Sequence, residues 1–126
     1  MLLKGIAGVV EAMVIADDRP FVTALLWLED EVAEALARGE QAFDFGMLDA
    51  GVRRVNEQLS HPEQVKRWIV CARPLTVAAG ELTPNLKIRR NEVAGARAEL
   101  VDSLYDGWDI SDDAADQDAA LHRGEA

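Results

Sequence analysis

Two apolar runs, Val9 to Ala16 and Phe21 to Leu28, are rich in β-branched and large aliphatic residues and are separated by Asp17-Asp18-Arg19-Pro20. Acids and a proline between two such runs favour a turn, so the pattern predicts a β-hairpin. Asp30 can then cap a helix that continues through Arg38 and stops at Gly39, with Glu31 and Glu34 at the positive end of its dipole. A second helix is predicted from about Asp44 to Leu59, because Leu48, Val52, Val55 and Leu59 recur at i, i+4, i+7 and i+11 and form one apolar stripe. Its other face carries Arg53, Arg54 and Glu57.

Ser60-His61-Pro62-Glu63 has the spacing of a capping box with a proline in the first turn, which predicts a short helical turn ending near Arg67. Trp68 to Ala72 reads as a strand closed by Arg73-Pro74, and Leu75 to Ala79 as a short extended piece before Gly80. A last helix is predicted from about Asn91 to Gly107, with Val93, Ala96, Leu100, Val101 and Leu104 on its apolar side. Strands and helices thus interleave. The fold class is α/β (α+β): a small β-sheet with a hairpin, flanked by about three helices.

Charge changes the picture at the far end. Of the 23 acids in these 126 residues, seven lie in 106–126, against the single base Arg123. With few large apolar groups after Ile110, this stretch cannot bury enough surface to offset the entropy of ordering, and 108–126 is read as a disordered acidic tail behind a domain of 1–107. One chain of this length has room for one core. A formal charge of −10 speaks against a nucleic-acid partner, which needs a basic surface. No apolar run is long enough for a transmembrane segment, and the opening residues lack a signal-peptide layout. A lone cysteine and the absence of a histidine–cysteine cluster leave no metal site and suit a cytoplasmic setting.

Among candidate reactive groups, His61 sits in a helix cap, His122 in the tail, Cys71 in an apolar strand and Asp17-Asp18 in a hairpin tip, all places with a structural explanation. No Walker loop, GxGxxG, GxSxG or HExxH is present. The informative stretch is Gly80 to Arg90, GELTPNLKIRR, a loop shaped by glycine and proline that ends in three cations within four residues. On composition it reads as a solvated basic loop pairing with Glu92. In an extended chain, however, Lys87 and Arg89 face the same way, and functional cations sit on loops of this kind.

GELTPNLKIRR, followed by a helix ending in DSLY, resembles the C-terminal end of the AMP-forming long-chain acyl-CoA synthetases of the adenylate-forming superfamily. VVEAMVIADDRPFVTALLWLE is similar to that family's strand–turn–strand with its Arg-Pro-aromatic turn, and PEQVKRWIVCARPLTVAAGELTP to the segment leading into its lysine loop. The resemblance covers roughly residues 6 to 106 and is most specific at the loop. Leu86 stands where most of the superfamily has glycine, as is usual in the long-chain branch, and Asn85 replaces the threonine common there.

The resemblance implies that Lys87 is the adenylation lysine, carried by a small mobile domain into the active site of a large N-terminal domain. A fatty-acid carboxylate there attacks ATP-Mg to give acyl-AMP and pyrophosphate, and CoA thiol then displaces AMP. Arg89 and Arg90 follow the motif's basic character and are candidates for substrate phosphate contacts; Lys66 and Arg67 match a basic pair of the family, although a solvated helix end accounts for them equally. The family's nucleotide and magnesium residues and its hinge precede the point where this sequence starts, and residues 1–8 read as the end of a cut helix. The chain alone is therefore expected to bind no cofactor, with ATP, Mg and CoA implied for the complete enzyme and the N-terminal adenylate-binding domain as partner, in cis or in trans. Any membrane contact would be peripheral and made through the complete enzyme. A noncatalytic module docking on such a large domain is the alternative.

Overall fold

The computed structural model describes residues 2–108 and 120–126. Its centre is a four-stranded mixed sheet in the order β1 (Val9–Ile15), β2 (Val22–Leu28), β3 (Val65–Cys71) and β4 (Ala120–Glu125). β1 and β2 form the predicted antiparallel hairpin, with Ala12 opposite Leu26 and Ile15 opposite Thr23. Its turn takes Asp18 into the left-handed region at φ 57°, a conformation that aspartate tolerates better than most residues. Phe21, Thr23 and Tyr105 brace the turn: the Tyr105 hydroxyl donates to the Phe21 carbonyl at 2.9 Å and shares a hydrogen bond with Thr23 at 2.9 Å.

β2 runs parallel to β3, with Ala24 beside Trp68 and Leu26 beside Val70. A parallel pair requires a crossover, and α1 (Asp30–Ala37) and α2 (Phe45–Asn56) occupy it, both close to their predicted bounds. Asp44 caps α2 by accepting from the Met47 amide at 3.2 Å. The stripe Leu48, Val52 and Val55 packs on one sheet face with Ala24, Leu26, Trp68 and Val70. On the other face Leu25, Trp27, Ile69 and Cys71 meet Val93, Leu100, Val101 and Leu104. Burial on both faces explains why β2 is apolar throughout except at Thr23.

Four expectations are corrected. The turn after Ser60 ends at Glu63, and Val65 to Arg67 already belong to β3. The side-chain amide of buried Asn56 is responsible: it donates to the Val65 carbonyl at 2.9 Å and accepts from the Val65 amide at 2.8 Å, as a strand neighbour would. Ser60 donates to the Glu63 carboxylate and makes no side-chain cap to the backbone. Leu75 to Ala79 is irregular and turns at Val77 to Gly80. The last helix is two, α3 (Arg90–Ala96) and α4 (Ala98–Ser103), interrupted at Arg97, and Ala96 is exposed.

The fourth correction is the tail. Residues 120–125 form β4, antiparallel to β3, with Trp68 opposite Gly124 and Ile69 opposite Arg123. Backbone pairing makes this strand despite its thin apolar content, and side chains fix it. His122 bonds Asp49 of α2 at 2.9 Å and stacks on Phe45 at 4.4 Å between centroids. The rest of the tail reading, 109–119, lies outside the described residues.

Gly124 is needed because the Trp68 indole packs directly against it. A methyl group there would fall 2.0 Å from Nε1 and 2.1 Å from Cε2, and a fully buried indole has nowhere to go. Gly124→Ala is therefore expected to lower stability by about 1–3 kcal/mol through overpacking, read as a lower urea midpoint with an unchanged slope.

Candidate functional site

Residues 81–89 form a small hairpin between β3 and the last helices. The Arg89 amide donates to the Glu81 carbonyl at 2.8 Å, Leu82 and Ile88 form an antiparallel bridge, and the Thr83 amide donates to the Lys87 carbonyl at 2.8 Å. The tip is Thr83-Pro84-Asn85-Leu86, closed by the Leu86 amide on the Thr83 carbonyl at 2.8 Å, with Leu86 left-handed at φ 63°. The Thr83 hydroxyl accepts from the Lys87 amide at 3.0 Å.

Lys87 is thus held by both its amide and its carbonyl. Its side chain is exposed, and among the described residues its ammonium makes no hydrogen bond or ion pair. Leu86, its neighbour in the chain, is 66% exposed. Between the hairpin, α1 and the sheet lies a cleft of about 480 Å³, lined by Trp27, Leu75, Leu82 and Leu86 and rimmed by Glu11, Asp30 and Glu34.

The other predicted cations are placed differently. Arg89 shares the return arm with Lys87, but its guanidinium donates to the Gly80 carbonyl at 3.2 Å and lies 3.7 Å from Glu92, the pairing that composition suggested. Arg90 donates to the Val14 carbonyl of β1 at 2.6 Å. Both anchor the hairpin's exit to the sheet and the turn. Arg67 is no solvated helix end: it leaves β3 to meet Glu125 at 3.2 Å and the Leu104 carbonyl at 2.9 Å, with the rings of Phe21 and Trp108 at 4.9 and 5.4 Å. Lys66 donates to Gln64 at 3.2 Å. His61 is exposed in its turn, Cys71 is buried in the sheet, and His122 belongs to β4 instead of a tail.

Sequence reasoning missed the groups beneath the hairpin. Glu81 and Arg97 are fully buried, their side chains paired through Nε to Oε2 at 2.8 Å and Nη2 to Oε1 at 3.2 Å. Arg97 also donates to the Arg73 and Pro74 carbonyls at 2.8 and 3.1 Å, and Arg73 approaches Glu81 at 3.4 Å. One signal was available: Arg97 follows Val93 by four residues and so falls on the stripe that holds Leu100 and Leu104. A cation on a buried stripe requires a partner.

Burial pushes the Glu81 carboxyl up, but the Arg97 hydrogen bonds and charge, the Arg73 charge and a Thr76 backbone bond outweigh it and hold it below the ordinary 4.5. A depressed carboxyl stabilises the fold above its unfolded value, and that contribution is lost as pH falls through the folded one. The melting temperature should accordingly drop as pH falls below about 4.5, and Glu81→Gln should flatten this part of the profile. Differential scanning calorimetry across that range checks both.

No family model matches the chain. It is 29% identical over 108 residues to the long-chain-fatty-acid–CoA ligase FadD15 of Mycobacterium tuberculosis, covering 75% of this chain and 18% of that protein. With the long-chain-fatty-acid–CoA ligase heimdall of Drosophila melanogaster it shares 37% identity over 59 residues, 46% of this chain and 9% of that one. The adenylation domain of a carboxylic acid reductase from Segniliparus rugosus, solved with AMP and a co-purified carboxylic acid, superposes with a TM-score of 0.65 at 20% identity, over 86% of this chain and 17% of that one. The corresponding domain from Mycobacterium chelonae gives 0.65 at 21% identity. The chain spans under a fifth of the length of these proteins, and no helix among the described residues is long and apolar enough to cross a membrane. Over most of its length it is homologous to the ligases, and it has the fold of part of the adenylation domains.

Proposed function

We propose that this chain, a domain of the adenylate-forming superfamily, is the lysine-bearing C-terminal domain of a long-chain fatty-acid–CoA ligase, and that Lys87 is its catalytic residue. The observation that carries this is a fixed backbone under an exposed cation: Lys87 is pinned through its amide and carbonyl while its ammonium has no partner among the described residues, on a hairpin inside the chain's homologous region. The Lys87 side chain is presented outward.

The chemistry follows from charge. In the first half-reaction a carboxylate oxygen bonds to the α-phosphorus of ATP, and the bond from that phosphorus to the pyrophosphate oxygen breaks. Negative charge shifts between carboxylate, phosphoryl and leaving oxygens, and a compact ammonium beside them stabilises it most in a site closed to water. In the second half-reaction the CoA sulfur bonds to the acyl carbon and AMP leaves. ATP, Mg and CoA are taken to be held by the large N-terminal domain, the partner of this one in cis or in trans. The exposed Leu86 next to Lys87 gives that partner apolar surface to close on.

The test is to combine the chain with the large domain of a long-chain ligase lacking its own C-terminal part, and to measure acyl-CoA formation with fatty acid, ATP-Mg and CoA. Turnover only when both pieces are present supports the proposal. Docking without turnover would favour a noncatalytic module.

A further inference from the structure

We infer that Glu81 and Arg97 are positioning residues for Lys87: the buried pair clamps the base of the lysine hairpin to the sheet and to α3, and so fixes where the ammonium stands. This rests on the reading of Lys87 as the adenylating cation.

Arg89 and Arg90 hold the exit of the hairpin, and Glu81 with Arg97 holds its base. Glu81 opens it: its amide donates to the Thr76 carbonyl at 3.2 Å and its carbonyl accepts the Arg89 amide at 2.8 Å, so both arms are registered at this residue. The Arg97 fork spans three supports, namely the Glu81 carboxylate, the segment just after β3 through the Arg73 and Pro74 carbonyls, and the Trp27 ring at 5.4 Å. Five donors in a rigid plane can tie three segments at fixed angles, which a lysine cannot do.

The last helix is interrupted at this same residue. Arg97 has φ −117° and ψ 30°, outside helical values, and the residues on either side of it are assigned to separate helices. Neither charge touches the surface or lies in the cleft beside the hairpin, so the pair has no role of its own toward a ligand. A buried pair of this kind is often no more stable than apolar packing would be, and the specific geometry it imposes is what distinguishes it.

The experiment has two arms. On the 126-residue chain, Glu81→Gln keeps the shape and removes the charge. Amides of Thr83, Leu86 and Arg89 should then exchange about tenfold faster or more, while Leu25 and Ile69 in the central strands keep their protection. Arg97→Lys should show the same pattern, since it keeps the charge but loses the fork. Unchanged hairpin exchange, or equal loss of protection in hairpin and sheet, overturns the inference. A variant that fails to fold counts against it too, and Glu81→Gln with Arg97→Gln, a neutral amide pair, provides the second attempt.

In the two-piece enzyme, Glu81→Gln should lower kcat for adenylation with KM for ATP nearly unchanged, and should cost nothing further in a Lys87→Ala background. Equal cost in both backgrounds overturns the inference and leaves the proposed function standing. A silent Lys87→Ala defeats the proposed function first, and the exchange arm then shows whether the clamp orders the hairpin at all.

Discussion

Lys87→Ala is expected to slow acyl-adenylate formation in the two-piece enzyme by about a hundred- to a thousandfold, the usual effect of removing a preorganised charge-stabilising donor from a closed site. Thioester formation from supplied acyl-AMP should change far less. The asymmetry is geometric, since a lysine carried on a mobile small domain can lie against the reacting oxygens in one arrangement and be withdrawn in the next, stabilising one transition state and not the other. Lys87→Arg should recover only part of the loss, because a planar guanidinium is bulkier and differently hydrated than an ammonium. Pyrophosphate release and acyl-AMP consumption, measured separately, check this. Equal loss in both half-reactions would indicate impaired docking, and no loss in either would favour a noncatalytic module. The backbone contacts of Lys87 do not depend on its side chain, so the hairpin should survive the substitution.

The largest expected effect on stability comes from Trp68→Ala, at about 3–5 kcal/mol. Trp68 is fully buried in β3, packs with Ala24 and Val52, and donates from Nε1 to Asp49 at 2.8 Å. Its removal opens a cavity in the core and leaves Asp49 with His122 as its remaining side-chain partner. For a domain whose total stability is on the order of 5–15 kcal/mol, such a loss leaves a large unfolded fraction at modest urea concentration. Trp68→Phe should cost less, retaining most of the packing and losing the hydrogen bond. Urea denaturation followed by far-ultraviolet circular dichroism measures both variants.

The elements that could be read from the sequence are those decided locally. The β1–β2 hairpin announces itself because both strands and the turn chemistry between them lie within 20 residues, and α2 because its stripe and its Asp44 cap are contiguous. β4 has no such local cause. Its residues ALHRGE have little apolar content, and the strand exists because β3 offers an open edge, Asp49 offers His122 an acceptor and Trp68 offers Gly124 a surface to pack against. Composition sees the acids around it and cannot see those partners.

The candidate site divides along the same line. Lys87 is a candidate through the loop's resemblance to a known motif, whereas the placement of its neighbours depends on where their side chains end. Arg89 and Arg90, grouped with it by type, are taken up by Gly80, Glu92 and Val14. The Glu81–Arg97 pair joins residues 16 apart at the break between α3 and α4, and its attraction is strong because both groups are buried. Helix periodicity alone continues straight through Arg97.

The pairing of β4 with β3 also bears on the order in which the molecule can assemble. Arg67 pairs with Glu125, 58 residues later, whereas the β1–β2 hairpin closes over a few residues. Closing so long a loop is entropically slow, and pairing across it comes late. During synthesis, β1, β2 and β3 emerge and can pair while the outer edge of β3, with the Trp68 indole, still awaits its cover. An unpaired edge of that kind is a template for another chain. The interval before residues 120–125 arrive is therefore the time at which a ribosome-bound chain is most exposed to mispairing, and chaperone capture should peak there.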